Sequence, residues 1–284
     1  MVIKSDSFSP SSSLLSSSFK WEKDAKGFYD RHFVVLFTVA LTYYPVIFGV
    51  RYLMRNRKAY DLGGAKSRAR VNWIFLWEAS LAIFSFVAAT QVVPLALEPL
   101  LHQGISLAES ICSLRTHDDP RSYWIFLFNF SKVFEFGDTV FIVLRKKKLV
   151  MLQHYHHLAT MLYCWYATVI TYRLNNTNPY FAGTNLVVHS IMYSWYAATR
   201  IGWKSPRIVM ILITLIQLIQ MVGGMIFVYI SIFGEHESCG MWLKREPYGL
   251  FACVFMYASF LLLFLELFVN NYISMKKSSK DKTA

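Results

Sequence analysis

Apolar residues come in long unbroken blocks along this chain, and the polar residues collect between the blocks. A run of about 20 apolar residues is long enough to cross the hydrocarbon core as a helix, and a helix satisfies its own backbone there. Seven blocks have this character: residues 33–54, 71–93, 123–144, 152–172, 181–199, 208–233 and 250–273. The expected fold class is therefore an all-α polytopic membrane protein with seven transmembrane helices. A polar, Ser-rich tail over 1–32 is expected to be disordered, a membrane domain to fill 33–273, and a basic tail to occupy 274–284. The connection 93–122 leaves room for a re-entrant piece. Residues 1–20 contain no apolar signal-peptide core, so the first block is expected to direct insertion.

Composition supports the pattern. Only 16% of the 284 residues are charged and 55% are hydrophobic, whereas about 25% charged is usual for a soluble domain. The net charge of +12 would suggest nucleic acid on a soluble protein. Here no nucleic-acid-binding signature accompanies it, no nucleic-acid partner is expected, and the basic residues lie in the loops. Those after blocks one, three and five and in the final tail total eighteen, including Arg145, Lys146, Lys147 and Lys148; the opposite loops hold five. Positive loops stay in the cytosol, so the C-terminus is expected there and, after seven crossings, the N-terminus in the lumen. Lys4, Lys20, Lys23, Lys26 and Arg31 pull mildly against that orientation.

Three features agree with it. Asn175, with Thr177, forms a glycosylation sequon in a lumenal loop, although that loop is short and close to the membrane. Cys112 and Cys239 both fall in lumenal loops, where a disulfide persists, and they are the disulfide candidates; Cys164 and Cys253 fall inside blocks and are expected reduced. Lys280 and Lys282 resemble a dilysine signal, which points to the endoplasmic reticulum membrane.

Ionisable groups inside membrane helices are costly and usually functional. In the third block Lys132, Glu135 and Asp138 follow i, i+3, i+6 spacing and share one face; they read as a buried ion pair or as a polar wall around a substrate. The fourth opens with Gln153-His154-Tyr155-His156-His157, in which Gln153, His156 and His157 share a face and His154 need not join them. The fifth carries Asn185, His189 and Tyr193, the sixth Thr214, Gln217 and Gln220. The amides of the sixth read equally as interhelical hydrogen bonds or substrate contacts.

Two chemistries compete for the histidines. A metal site of the di-iron desaturase type needs about eight histidines in three boxes; His32, His102, His117 and His236 are isolated, so no metal is expected. Acyl transfer needs a histidine nucleophile or base held by a neighbour. Cys164 is a rival nucleophile, but it lies seven residues from His157, roughly 10 Å along a helix; a pairing with His189 stays open.

These residues resemble the ELO family of very-long-chain fatty acid elongases. The family's Lys-x-x-Glu-x-x-Asp-Thr falls on Lys132, Glu135, Asp138 and Thr139, and its His-x-x-His-His box on residues 153–157. Its Asn-x-x-x-His-x-x-Met-Tyr pattern falls on Asn185, His189, Met192 and Tyr193, followed by Trp195 and Tyr196; its Thr-x-x-Gln-x-x-Gln falls on Thr214, Gln217 and Gln220. The likeness covers about residues 28–277, with one departure: Gln153 stands where the family usually has histidine. The resemblance implies condensation of a long-chain acyl-CoA with malonyl-CoA, the co-substrate, to a 3-oxoacyl-CoA, with release of CO2 and CoA and no bound cofactor. It also implies six helices around a closed acyl tunnel and the first outside, with an acyl-histidine on His156. His189, His157 and Gln153 would assist, Lys132, Glu135, Asp138, Asn185, Tyr193, Gln217 and Gln220 would line the substrate site, and the basic rim from Lys146 to Lys148 and at Arg200 and Lys204 would attract CoA phosphates. Expected partners are membrane lipid, the reductases and dehydratase of the elongation cycle, and a second copy of the chain. A catalytically weak scaffold for those enzymes is the alternative that Gln153 keeps open; a transporter or receptor explains none of the motifs.

Overall fold

The computed structural model describes residues 18–64, 66–67, 71–113, 119–170 and 176–274. Asn175, Lys280 and Lys282 lie outside the described residues. Among the described residues the chain is all helix and irregular connection, with no strand. A π-helical turn over Trp21–Lys26 leads into α1 (Gly27–Arg31), α2 (Phe33–Leu53), α3 (Trp73–His102), α4 (Leu107–Cys112), α5 (Ser122–Phe134), α6 (Phe136–Leu144) and α7 (Met151–Val169). There follow α8 (Thr177–Arg200), α9 (Arg207–Phe233), α10 (Met241–Arg245) and α11 (Pro247–Phe268), which continues as a π-helical turn through Val269–Ser274.

Local chemistry marks several ends. Asn72 caps α3, its Oδ1 accepting from Phe75 N at 3.0 Å; Ser106 caps α4 through Glu109 N at 3.1 Å. Both side chains satisfy amides that the first helical turn leaves unpaired. Pro247 opens α11, where its missing N–H costs nothing.

Four helices, α2, α3, α9 and Pro247–Ile273, are long and apolar enough to cross a membrane. Their outer faces expose Val34, Leu41, Ile83, Phe86, Ile219, Ile226, Phe255 and Leu262. A continuous apolar surface of this kind needs lipid around it, and the chain is a membrane protein. The other expected spans are also helical but fall short of that criterion: α5 and α6 are each too short, and α7 and α8 carry the polar groups described below.

Three expectations change. The second block is longer than 71–93, because α3 continues through Pro94 and Pro99 to His102. At 30 residues it is about 45 Å long, and among the described residues between it and α5 the short α4 is the only helix. The third block is two helices, broken at Glu135. Of the expected 1–32 tail, the described residues 18–32 are largely helical, with Phe19, Trp21, Ala25 and Tyr29 buried.

Six segments contact one another in closed order: α3 on α8, α8 on α9, α9 on α11, α11 on α7, α7 on α5, and α5 on α3. α2 lies outside, against α6 and α7. The α3–α8 pair is the most extensive, and small residues explain why. Ala88, Ala89 and Ala96 on α3 are buried, as are Ala182 and Gly183 on α8; a Cβ on Gly183 would touch Val93 Cγ2 at 3.5 Å. Small side chains let membrane helices approach closely and gain dispersion contact.

The two ends differ. At one, Cys112 and Cys239 form a disulfide that ties α4 to the α9–α10 connection. Asn176 N donates to Ile111 O at 2.8 Å there. At the other, basic end, the Arg200 guanidinium donates to both carboxylate oxygens of Glu78, at 2.8 and 3.0 Å. Asn72 Nδ2 donates to Arg200 O at 3.2 Å, and Lys146 Nζ donates to Arg55 O and Arg57 O at 3.1 Å. These contacts fasten the α2–α3 connection to the ends of α6 and α8.

Candidate active site

The polar residues of α5, α6 and α8 meet inside the ring. One helical turn separates Lys132 from Glu135, so the two side chains meet on one face: Lys132 Nζ lies 2.6 Å from Glu135 Oε1. Both are buried, at 1% and 3% exposure. A buried ion pair holds only when further hydrogen bonds satisfy it. Here Lys132 Nζ also donates to Asn185 Oδ1 at 3.1 Å and sits over the Phe128 ring, 4.2 Å from its centroid. His189 Nδ1 stands 3.5 Å from Glu135 Oε1. Asn185 and His189 are one turn apart on α8, so α8 brings both to the ion pair at the end of α5.

Asp138 is held from two sides. Trp77 Nε1 on α3 donates to its Oδ1 at 2.7 Å, and Tyr193 OH on α8 donates to its Oδ2 at 2.7 Å. Gly137 makes the first bond possible, since a Cβ there would lie 2.5 Å from Trp77 Cζ2. Thr139 meets Tyr43 OH of α2 at 2.9 Å, which fastens the outer helix to α6.

Two cavities run between the helices. The wider one, toward the basic end, is partly open and is lined by Glu135, Asp138, Gln153, His156, His157, Asn185, His189, Tyr193, Trp195, Gln217 and Tyr272, among others. The deeper one is mostly apolar, lined by Ile125, Phe128, Cys164, Ala167, Phe181, Met256 and Tyr257. His156, Asn185, Gln220 and Met221 line both. His156 therefore stands at their junction, its ring 4.6 Å from Phe260 and 5.6 Å from His157 between centroids. The deep cavity follows α7 from His156 to Ala167, about 16 Å at the helical rise.

The structure sorts the histidine box. Gln153, His156 and His157 all line the wide cavity, as their shared face requires. His157 Nδ1 is buried without a hydrogen-bond partner. His154 turns away: its Nδ1 lies 3.4 Å from Tyr44 OH, and its ring meets Tyr44 and Phe48 edge-on. Gln217 Nε2 reaches Met192 Sδ at 3.2 Å, and Thr214 meets Tyr272 OH at 3.3 Å, so part of this polar set joins α9 to its neighbours.

Cys164 lies in the deep cavity's wall, and among the described residues no hydrogen bond joins it to a histidine. Cys112 and Cys239 are at the disulfide end, apart from the histidines. Among the described residues no group of three or more His, Cys, Asp and Glu is placed to hold a metal ion. On the rim, Arg200 and Lys146 are engaged with Glu78 and with backbone carbonyls, while Lys147, Lys148 and Lys204 are exposed. Arg145 is held below the usual arginine range, by burial first and then by the like charge of Arg200. Trp77, Phe260 and Tyr272 were not among the residues expected from sequence. Trp77 and Phe260 are aromatics in apolar runs, and nothing in such a run separates a site wall from core packing.

A family model described as ELO, GNS1/SUR4 family, matches residues 28–280. The chain is 33% identical to human very long chain fatty acid elongase 6 over 248 residues, covering 86% of this chain and 87% of the relative. It is 30% identical to human very long chain fatty acid elongase 3 over 271 residues, covering 94% and 93%. It is also 32% identical to long chain fatty acid elongase 1 of Caenorhabditis elegans over 266 residues, covering 91% and 85%. No solved structure matches.

Proposed function

This chain belongs to the ELO (GNS1/SUR4) family, and we propose that it is the condensing enzyme of fatty acid elongation, joining a long-chain acyl-CoA to malonyl-CoA. The relatives' names support a role in fatty acid elongation. The observation that carries the finer reading is the place of His156, on the wall of both cavities. An acyl chain lying in the deep apolar cavity presents its thioester at this imidazole, and the CoA part lies in the wider, more polar cavity. On this reading the two cavities form one tunnel.

The chemistry then runs in two halves. A His156 ring nitrogen attacks the thioester carbonyl; the C–S bond breaks and the thiolate leaves as CoA, taking the proton the imidazole gives up. Malonyl-CoA follows into the wide cavity and loses CO2, so its C–C bonding pair becomes an enolate. That carbon attacks the acyl carbonyl, the C–N bond breaks, and His156 recovers a proton from solvent as 3-oxoacyl-CoA leaves. Gln153 and His157 line the same cavity and supply groups for the developing oxyanions; such groups help most when already aimed in a dry site. His189, held at Glu135, assists the decarboxylating half. Lys147, Lys148 and Lys204 attract the CoA phosphates. No metal and no bound cofactor enters.

The membrane arrangement follows the same reading. The segments α5–α6, α7 and α8 also cross, giving seven crossings. The basic end faces the cytosol and the disulfide end the oxidising lumen of the endoplasmic reticulum. Partners are the two CoA thioesters, membrane lipid, and the reductases and dehydratase that process the product; a second copy of the chain is a further candidate. Asn175 remains a candidate glycosylation site. In microsomes containing the native chain, labelled malonyl-CoA is expected to enter longer acyl chains, and His156→Ala to abolish incorporation. Full incorporation by His156→Ala would overturn the nucleophile assignment.

A further inference from the structure

The segment ahead of the first long helix packs against α5 and α7, two of the helices that wall the deep cavity. Its apolar residues Trp21, Ala25 and Tyr29 recur every fourth position, one face of a helix, while Lys20, Glu22 and Lys23 are exposed. Trp21 is 2% exposed and Ala25 is fully buried. We propose that the segment from Phe19 to Tyr29 is the outer stop of the deep cavity, and that Trp21 sets the longest acyl chain the protein extends. The proposal rests on the elongation reading above.

Two contacts place the segment at that wall. Trp21 Nε1 donates to Thr168 O in the last turn of α7, at 3.2 Å. Thr168 Oγ1 in turn accepts from Asn129 Nδ2 at 2.7 Å, and Asn129 lines the deep cavity. Phe19, Trp21 and Ala25 also pack in one buried cluster with Ile125, Phe128, Cys164 and Ala182, and these four line the cavity. The same wall residues therefore face the cavity and pack in the cluster that holds the N-terminal segment.

Packing decides how firm such a wall is. Interiors are close to crystal density, so a side chain backed by filled space keeps its place. Ile125 and Phe128 share their buried cluster with Trp21 and Phe19, and the Phe19 ring is held by Tyr123 and Phe126 at 5.5 and 6.0 Å. Removing the indole opens a void into which wall side chains relax, and the cavity deepens. A segment that merely anchors α2 has a different signature: its loss lowers stability and leaves product length alone. Because elongation adds two carbons per cycle, the longest product is a discrete readout.

The test uses the full chain in proteoliposomes, labelled malonyl-CoA, a series of saturated acyl-CoA primers of increasing length, and mass analysis of the products. Trp21→Ala is expected to lengthen the longest product by at least one two-carbon step, with turnover of the shortest primers within about twofold of native. Trp21→Phe is expected to fall between the two, and Lys23→Ala, on the exposed face, to match native. Trp21→Leu takes the place of Trp21→Ala if the smaller residue prevents folding. Turnover of short primers with an unchanged longest product overturns this proposal alone. Failure of the native chain to incorporate malonyl carbon overturns the elongation reading, and the proposal with it.

Discussion

His189 Nδ1 stands 3.5 Å from the same Glu135 oxygen that receives Lys132 Nζ at 2.6 Å. One carboxylate thus neutralises a buried ammonium and faces an imidazole on another helix. Carboxylates placed this way fix a histidine's tautomer and ring orientation.

Glu135→Gln keeps the shape and removes the charge. It is expected to lower kcat by about 10²–10⁴, the range for disabling a general acid–base group, with a smaller change in KM. Lys132→Met leaves Glu135 charged, buried and without its cation, and is expected to cost about 3–5 kcal/mol of stability. Single-turnover assays and thermal unfolding in detergent separate the two effects. Native kcat in Glu135→Gln would remove Glu135 from the mechanism.

The histidine box gives a second contrast. His154 packs on Tyr44 and Phe48 outside the cavity, whereas Gln153 lines it. His154→Ala is expected to leave turnover near native and to lower stability by about 1 kcal/mol, as for an ordinary lost contact. Gln153→His is expected to change turnover by less than about tenfold, under ~1.4 kcal/mol in the barrier. A rise from near zero on Gln153→His would favour the scaffold alternative.

Legibility in the sequence followed spacing. Lys132, Glu135 and Asp138 were readable because i, i+3, i+6 puts them on one face whatever the surroundings, and the structure places them together. The break at Glu135 was not readable, since no proline marks it. Trp77 was missed because its partner Asp138 is 61 positions away in the chain. The second block extends past residue 93 because prolines are tolerated within membrane helices, and α3 runs through Pro94 and Pro99. The N-terminal segment was read as a tail because its Ser- and Lys-rich composition hides four apolar positions whose burial depends on α5 and α7.

Gly137 offers a steric test of the Asp138 site. A Cβ at this position would meet the rigid Trp77 ring at 2.5 Å, so Gly137→Ala must push the indole off Asp138. Overpacking of this kind costs about 1–3 kcal/mol, and activity is expected to fall with it. Trp77→Phe removes the N–H donor together with part of the ring, and leaves Asp138 held by Tyr193. The double variant Gly137→Ala/Trp77→Leu, with space restored, is expected to be more stable than Gly137→Ala alone. Equal unfolding midpoints for Gly137→Ala and native would contradict the close approach.

Outside the membrane helices, Asp119 supplies a pH test. Arg121 donates to it from N, Nε and Nη2 at 2.8, 3.0 and 2.7 Å, and reaches Glu98 at the end of α3 through Nη1 and Nη2 at 2.5 and 2.8 Å. Burial raises the Asp119 pKa, but the hydrogen bonds and charge of Arg121 outweigh it, and the carboxyl sits below its usual range. A carboxylate with a lowered folded pKa stabilises the fold fully above its unfolded value, about 3.9, and loses that contribution as pH falls through the folded value. Asp119→Asn is therefore expected to unfold at a lower temperature than native at pH ~7, with the gap closing below pH ~4. Thermal unfolding of both proteins in detergent across that range measures the gap. A gap that stays constant or widens toward acid would show that the charge pairing of Asp119 with Arg121 does not stabilise the start of α5.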